Sequence, residues 1–187
     1  MKKENQLRHL ILSGIFIAIG ILIPLIVHSL GSGTAGQMLL PMHIGVMVAA
    51  FFLPPVYAVA VGALTPILSS LLTGMPPMAP LPIAAIMAFE LAAYALVISL
   101  FRKLVYRQRK NYFAPYLALV PAMIIGRIVA GLALFAILAI FGLKGPSPVT
   151  YVIGGVTAGL IGIAIQLALI PLLYRALVNA LPGWKSA

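Results

Sequence analysis

The chain contains no cysteine and no aspartate, and its only acids are Glu4 and Glu90. Without cysteine there are no disulfides and no thiolate metal ligands. Without aspartate, and with one carboxylate at each of two distant points, paired-acid catalysis has no material to work with. The three histidines, His9, His28 and His43, show no metal-ligand spacing, so neither a metal nor another cofactor is expected. No H-E-x-x-H, G-x-S-x-G or phosphate-binding glycine loop occurs. The chain therefore reads as a non-enzyme, and no catalytic residue is assigned. The doubled, inverted halves of many secondary transporters are missing too. Charge is scarce, at 7% of residues, where a soluble domain carries roughly a quarter.

What fills the chain is hydrocarbon. Of 187 residues, 63% are hydrophobic. Several runs reach the roughly 20 residues that a helix needs to cross a bilayer. The expectation is an all-α polytopic membrane protein, one membrane domain over 1–187, with six helices at about 9–28, 38–53, 56–73, 83–101, 114–141 and 149–177. The breaks follow the chemistry. Pro54-Pro55 ends the second helix, because proline has no N–H and restricts the residue before it. Gly74 to Pro82 holds four prolines and reads as a stiff extended loop. The second helix, at about sixteen residues, rises only ~24 Å. It barely matches a ~30 Å hydrocarbon core, which suits irregular geometry, a thinned membrane or the lining of a cavity.

The net charge of +10 does not point to nucleic acid. Lys2, Lys3 and Arg8 precede the first span; Arg102, Lys103, Arg107, Arg109 and Lys110 share one connection; Arg175 and Lys185 flank the last helix. Short basic segments beside helix ends set topology and favour anionic lipid. Six spans with both termini cytoplasmic put all ten of these residues inside. Lys144 then lies outside, with the loops at 29–37 and 74–82, and Arg127 is intramembrane. Met-Lys-Lys followed by the apolar run Leu10–Val27 resembles a signal sequence, but the run exceeds a usual signal core, so it reads as a retained first helix.

Glu90 and Arg127 stand out because each interrupts a long apolar run. A charge at bilayer depth is costly and faces a partner, a cavity or a ligand. They fall on consecutive antiparallel helices and can meet. The pair either ties two helices together or binds a polar ligand, and one pair can do both. Tyr94 and Met87 share the Glu90 face at helical spacing. His43, near the outer end of the second helix, and Gln166, which is hard to satisfy locally, are further candidates, with Met75 in the proline loop as an adaptable cover. Gly14 with Ala18, and Gly155 with Gly159, make small-xxx-small steps that allow close helix approach in lipid.

Leu40-Pro41-Met42-His43-Ile44, the stretch Leu64-Thr65-Pro66 to Pro77, Ala88-Phe89-Glu90-Leu91-Ala92 with Tyr94, and Gly126-Arg127 resemble the substrate-binding S components of energy-coupling factor (ECF) transporters, over nearly the full chain. The resemblance implies a six-helix prokaryotic plasma-membrane protein that binds a vitamin or related micronutrient from outside. It implies a site built from the fourth to sixth helices, capped by loops 29–37 and 74–82. The partners would be a transmembrane coupling subunit and two cytosolic ATPases. Family members often meet the coupling subunit through two alanines four apart on the first helix; here the positions read Gly14 and Ala18.

Arg127 suits a carboxylate or phosphate-like group, with Glu90, Tyr94, His43, Gln166, Met75 and Met87 around it. A pantothenate-like, partly anionic ligand is favoured. A pyridine vitamin or an amino-acid-derived precursor fits nearly as well. The other readings are a stand-alone proton-coupled carrier with Glu90 as the proton site, and a small membrane-embedded enzyme using Glu90 and His43.

Overall fold

The computed structural model describes residues 2–30 and 39–180. Gln37, most of the first loop, Lys185 and the side chain of His28 lie outside the described residues. The described chain is all helical, with α1 (Lys2–Leu30), α2 (Pro41–Phe52), α3 (Pro55–Thr73), α4 (Ile83–Arg107), α5 (Tyr116–Phe141), α6 (Pro148–Ala158) and α7 (Leu160–Ala180). Five of these, α1, α3, α4, α5 and α7, are long and apolar enough to cross a membrane. Their outer faces expose residues such as Leu10, Leu22, Leu71, Ile128, Phe135 and Leu172. Apolar surface this extensive needs a hydrocarbon environment.

Three expectations change. The helix expected over 149–177 is two helices, α6 and α7, joined at Gly159. A Cβ at Gly159 would stand 2.8 Å from Leu40 Cδ1, so the residue before α2 packs closely against this joint. The second helix is shorter still, 12 residues, or ~18 Å. It is buried on all sides except at Ile44. A helix that is apolar all round belongs inside a protein core, and α2 is wrapped by α1, α3, α4 and α7 rather than by lipid. Conversely, α4 runs six residues past its expected end, to Arg107. Arg102, Lys103 and Arg107 are good helix formers, and no Gly or Pro intervenes to stop them.

Small residues set the closest packing. Gly20 of α1 meets Gly45 of α2 and Thr65 of α3. A Cβ on Gly62 of α3 would lie 2.5 Å from the Leu91 carbonyl oxygen of α4, so the two backbones touch there. Pro171 in α7 leaves the Leu167 carbonyl without its helical donor, and the Tyr116 hydroxyl donates to it at 2.9 Å, tying the start of α5 to α7. The main core joins α2, α3, α4, α5 and α7; a smaller cluster of Ile86, Ala130, Leu134 and Ile137 lies toward the proline loop, with Leu81 and Tyr151 packed on it.

The bundle has a basic end. The His9 ring lies 5.3 Å from that of Tyr57, placing the start of α1 beside the start of α3. Arg175 of α7 stacks on Tyr112 in the turn after α4. The Gly74–Pro82 loop and Lys144 are at the opposite end. Met75-Pro76 and Ala79-Pro80 are cis, and the Met75 carbonyl accepts from Ser69 Oγ at 2.7 Å and from Thr73 Oγ1 at 3.2 Å.

Candidate functional site

α4 enters from the proline loop at Ile83, so Glu90 stands roughly 10 Å below that end and roughly 25 Å from Arg107 at the other. It is further from the helix midpoint than a helix ending at 101 implied. Its carboxylate is only 3% exposed, and three side chains converge on one oxygen. Tyr94, one turn on, donates its hydroxyl to Glu90 Oε1 at 2.7 Å. Arg127 of α5 brings Nη1 to the same oxygen at 3.0 Å. His43 of α2 places Nε2 3.8 Å from it, too far for a hydrogen bond.

Glycine makes this convergence possible. A Cβ at Gly126 would overlap Tyr94 Cε1 and Cδ1, so the Tyr94 ring lies directly against the α5 backbone. Gly155 of α6 leaves room for the Arg127 guanidinium, whose Nη1 would stand 3.2 Å from an added Cβ. Gly155 and Gly159 thus serve packing within the chain. Sequence reasoning gave the Gly126 position no role beyond a motif match. The signal available was its place beside the intramembrane Arg127.

The four residues Glu90, Arg127, Tyr94 and His43 come together from α2, α4 and α5. His43 is 2% exposed, and among the described residues both ring nitrogens lack a hydrogen-bond partner. Its ring packs 5.7 Å from that of Tyr94. Arg127 retains 14% side-chain exposure, so the cluster is not sealed. Tyr151 of α6 lies within electrostatic reach of both Glu90 and Arg127, and joins the site from a helix that buries no residue completely. The remaining candidates sit elsewhere. Gln166 is buried in α7 and donates through Nε2 to the Leu40 carbonyl at 3.4 Å. Leu40 has φ 47°, a left-handed conformation, and that bond helps hold the entry to α2. Met87 packs against the main core, and Met75 is exposed in the proline loop.

A groove of about 350 Å³ opens on another face, between α1, α2 and α7, lined by Leu12, Phe16, Ile19, Val48, Phe52 and Leu177 among others. Its walls are hydrocarbon and it holds none of the polar cluster. The chemistry therefore assigns the site to Glu90 and Arg127 rather than to this groove. Among the described residues, no group of three His, Asp or Glu stands close enough to hold a metal ion.

The family model described as ECF transporter, substrate-specific component, matches residues 8–174. The chain belongs to this family. No curated protein and no solved structure matches it. S components are membrane-embedded, substrate-binding transport subunits rather than enzymes, and work with a membrane coupling subunit and ATPases. In this S component Gly14 of α1 is exposed, with nothing within 4 Å of a Cβ placed there, and Ala18 is exposed one turn on; Gly154 and Ala158 of α6 are a second exposed small pair.

Proposed function

We propose that this S component captures a small, partly anionic vitamin or micronutrient, pantothenate-like in its chemistry, at the Glu90–Arg127 cluster. It hands the ligand inward when docked on the coupling subunit and two ATPases. The observation that carries the reading is the three-way convergence on Glu90 Oε1, with Arg127 partly open beside it. In the empty protein Glu90 neutralises Arg127. A ligand carboxylate competes for the guanidinium fork, which suits planar oxyanions, and frees Glu90 to accept from a ligand hydroxyl or amide. His43, with two unused ring nitrogens, supplies a further donor or acceptor. Met87, Gln166 and Met75 would then contribute by packing, by holding Leu40 and by covering the loop side, respectively.

The orientation that suits this role has six membrane crossings, α6 and α7 together making the last, in a prokaryotic plasma membrane. The basic end and both termini are cytoplasmic, as short basic segments favour. Ligand then enters past the proline loop. Gly14 and Ala18 give the coupling subunit a smooth face on α1.

The test is thermal stabilisation of the detergent-purified chain against a vitamin panel, since a ligand that binds only the folded state raises the melting point. Pantothenate or a similarly anionic compound should give the largest rise, and Arg127→Ala should abolish it. An unchanged affinity in Arg127→Ala ends the anion-binding role. Copurification with a coupling subunit and ATPases, lost in Gly14→Leu, checks the docking face; uptake without ATPases would instead favour a proton-coupled carrier.

A further inference from the structure

The basic end carries a second polar cluster that the transport site does not use. Tyr174 of α7 is 3% exposed, wedged with ring centroids 5.0 and 5.8 Å from Phe51 and Phe52, and among the described residues its hydroxyl has no hydrogen-bond partner. The next residue, Arg175, has two buried guanidinium nitrogens, Nε and Nη2, also without partners among the described residues. Its Cζ lies 4.2 Å from the ring centroid of Tyr112, so one face is stacked while the donor edge is unused. Arg109 and Tyr106 lie within electrostatic reach of Tyr174, and Arg109 itself packs 4.8 Å over the Tyr106 ring. Three segments, α4, the turn after it and α7, therefore bring two arginines and three tyrosines to one spot. Glu90 is committed to Arg127 near the other end, and among the described residues no acid pairs with Arg175.

Buried donors left unpaired are costly, more so when charged. The group that satisfies Nε, Nη2 and a tyrosine hydroxyl together is a compact oxyanion with several acceptor oxygens, and phosphate matches the guanidinium fork. The surroundings point to a phosphate carried at membrane depth. Tyr112, Phe113 and Tyr116 form a ring-on-ring run of the kind found at the level of lipid headgroups. Phe113 and Leu172 beside it are 69% and 57% exposed, giving hydrocarbon chains a surface. Tyr112, 55% exposed, is the ring stacked over the guanidinium and the side chain that would turn to admit the group.

We infer that Arg175 and Tyr174 form a binding site for a phosphate group at the basic end of the bundle, with Arg109 and Tyr106 beside it and Tyr112 as its cover. The site is separate from the vitamin cluster.

The experiment uses the full chain in uncharged detergent, melted with sodium phosphate against sodium chloride at equal ionic strength. A parallel series adds phosphatidylglycerol against a phosphate-free glycolipid. At about a hundredfold excess over Kd, binding should raise the melting point by roughly 5–10 °C. A response to phosphatidylglycerol alone identifies a lipid headgroup, and a response to inorganic phosphate a soluble anion; either supports the site. Arg175→Gln should remove the rise. Tyr174→Phe keeps the ring packing and should weaken binding by roughly tenfold, in line with loss of one hydrogen bond to a charged group. Lys103→Gln, an exposed charge at the same end, should leave the rise intact. The inference is overturned if neither phosphate source shifts the melting point, or if Arg175→Gln and Tyr174→Phe both respond like the parent. It is also overturned if Arg175→Gln affects only capture of the coupling subunit, since a protein carboxylate then takes the place of the phosphate.

Discussion

Removing both members of the Glu90–Arg127 pair should cost less than the sum of the two single removals. In Arg127→Met the Glu90 carboxylate, 3% exposed, keeps the Tyr94 hydroxyl at 2.7 Å but loses its cation. Stranding a buried charge costs about 3–5 kcal/mol. The tyrosine hydrogen bond and the nearby His43 place this site at the lower end, about 3 kcal/mol. For a chain of this size, 1 kcal/mol moves the melting point by roughly 2–4 °C, so the fall should be about 6–12 °C. Glu90→Gln strands Arg127, but the guanidinium retains 14% exposure and reaches toward solvent. That loss should be smaller, about 1–3 kcal/mol. The double variant leaves no stranded charge and should recover at least about 1 kcal/mol against the sum. Melting of the four ligand-free proteins in one detergent closes the cycle. If the two losses add to within about 0.5 kcal/mol, the residues are energetically independent and the pair is not what holds α4 to α5 at this depth.

Three further outcomes follow from the packing. Gly126→Ala should lower the melting point by an amount equivalent to about 1–3 kcal/mol, the usual range for overpacking. It should also weaken ligand binding, because the Tyr94 ring must leave its seat against Glu90; Gly14→Ala, which meets nothing within 4 Å, should be neutral or stabilising by up to about 1 kcal/mol. Gly62→Ala should be destabilising by at least about 1–3 kcal/mol, since its Cβ would meet the α4 backbone at 2.5 Å; a melting point equal to the parent's would show that α3 and α4 can separate freely. Tyr116→Phe should cost about 1 kcal/mol, and the cost should vanish in a Pro171→Ala background, where the Leu167 carbonyl regains a helical donor; an equal loss in both backgrounds removes the proposed link between the proline and the tyrosine.

The residues that deviate from their surroundings were legible without coordinates. Glu90 and Arg127 are conspicuous because a charge in an apolar run has few stable placements. Tyr94 follows from helical spacing. His43 shared no helix with them, and only its position on the loop side suggested it. Gly126 was not recognisable as the seat of the Tyr94 ring, because a glycine's function is to leave room and the occupant comes from another helix. The division of the last helix at Gly159 was equally hidden. Its local sequence continues an apolar run, and the neighbour that Gly159 meets, Leu40, is far away in the chain.

Composition and the placement of prolines by themselves determined that the chain is helical, that it lives in hydrocarbon, and where its basic end must be. Those properties follow from solvation and backbone chemistry, which act on each segment separately. Only the tertiary structure decided that α2 is a buried core helix and not a span facing lipid. It also decided that one carboxylate oxygen gathers Tyr94 and Arg127 with His43 close by, and that Tyr174 and Arg175 are left with unpaired donors. Burial and satisfaction depend on which surfaces meet, and an apolar helix carries the same hydropathy whether lipid or protein surrounds it.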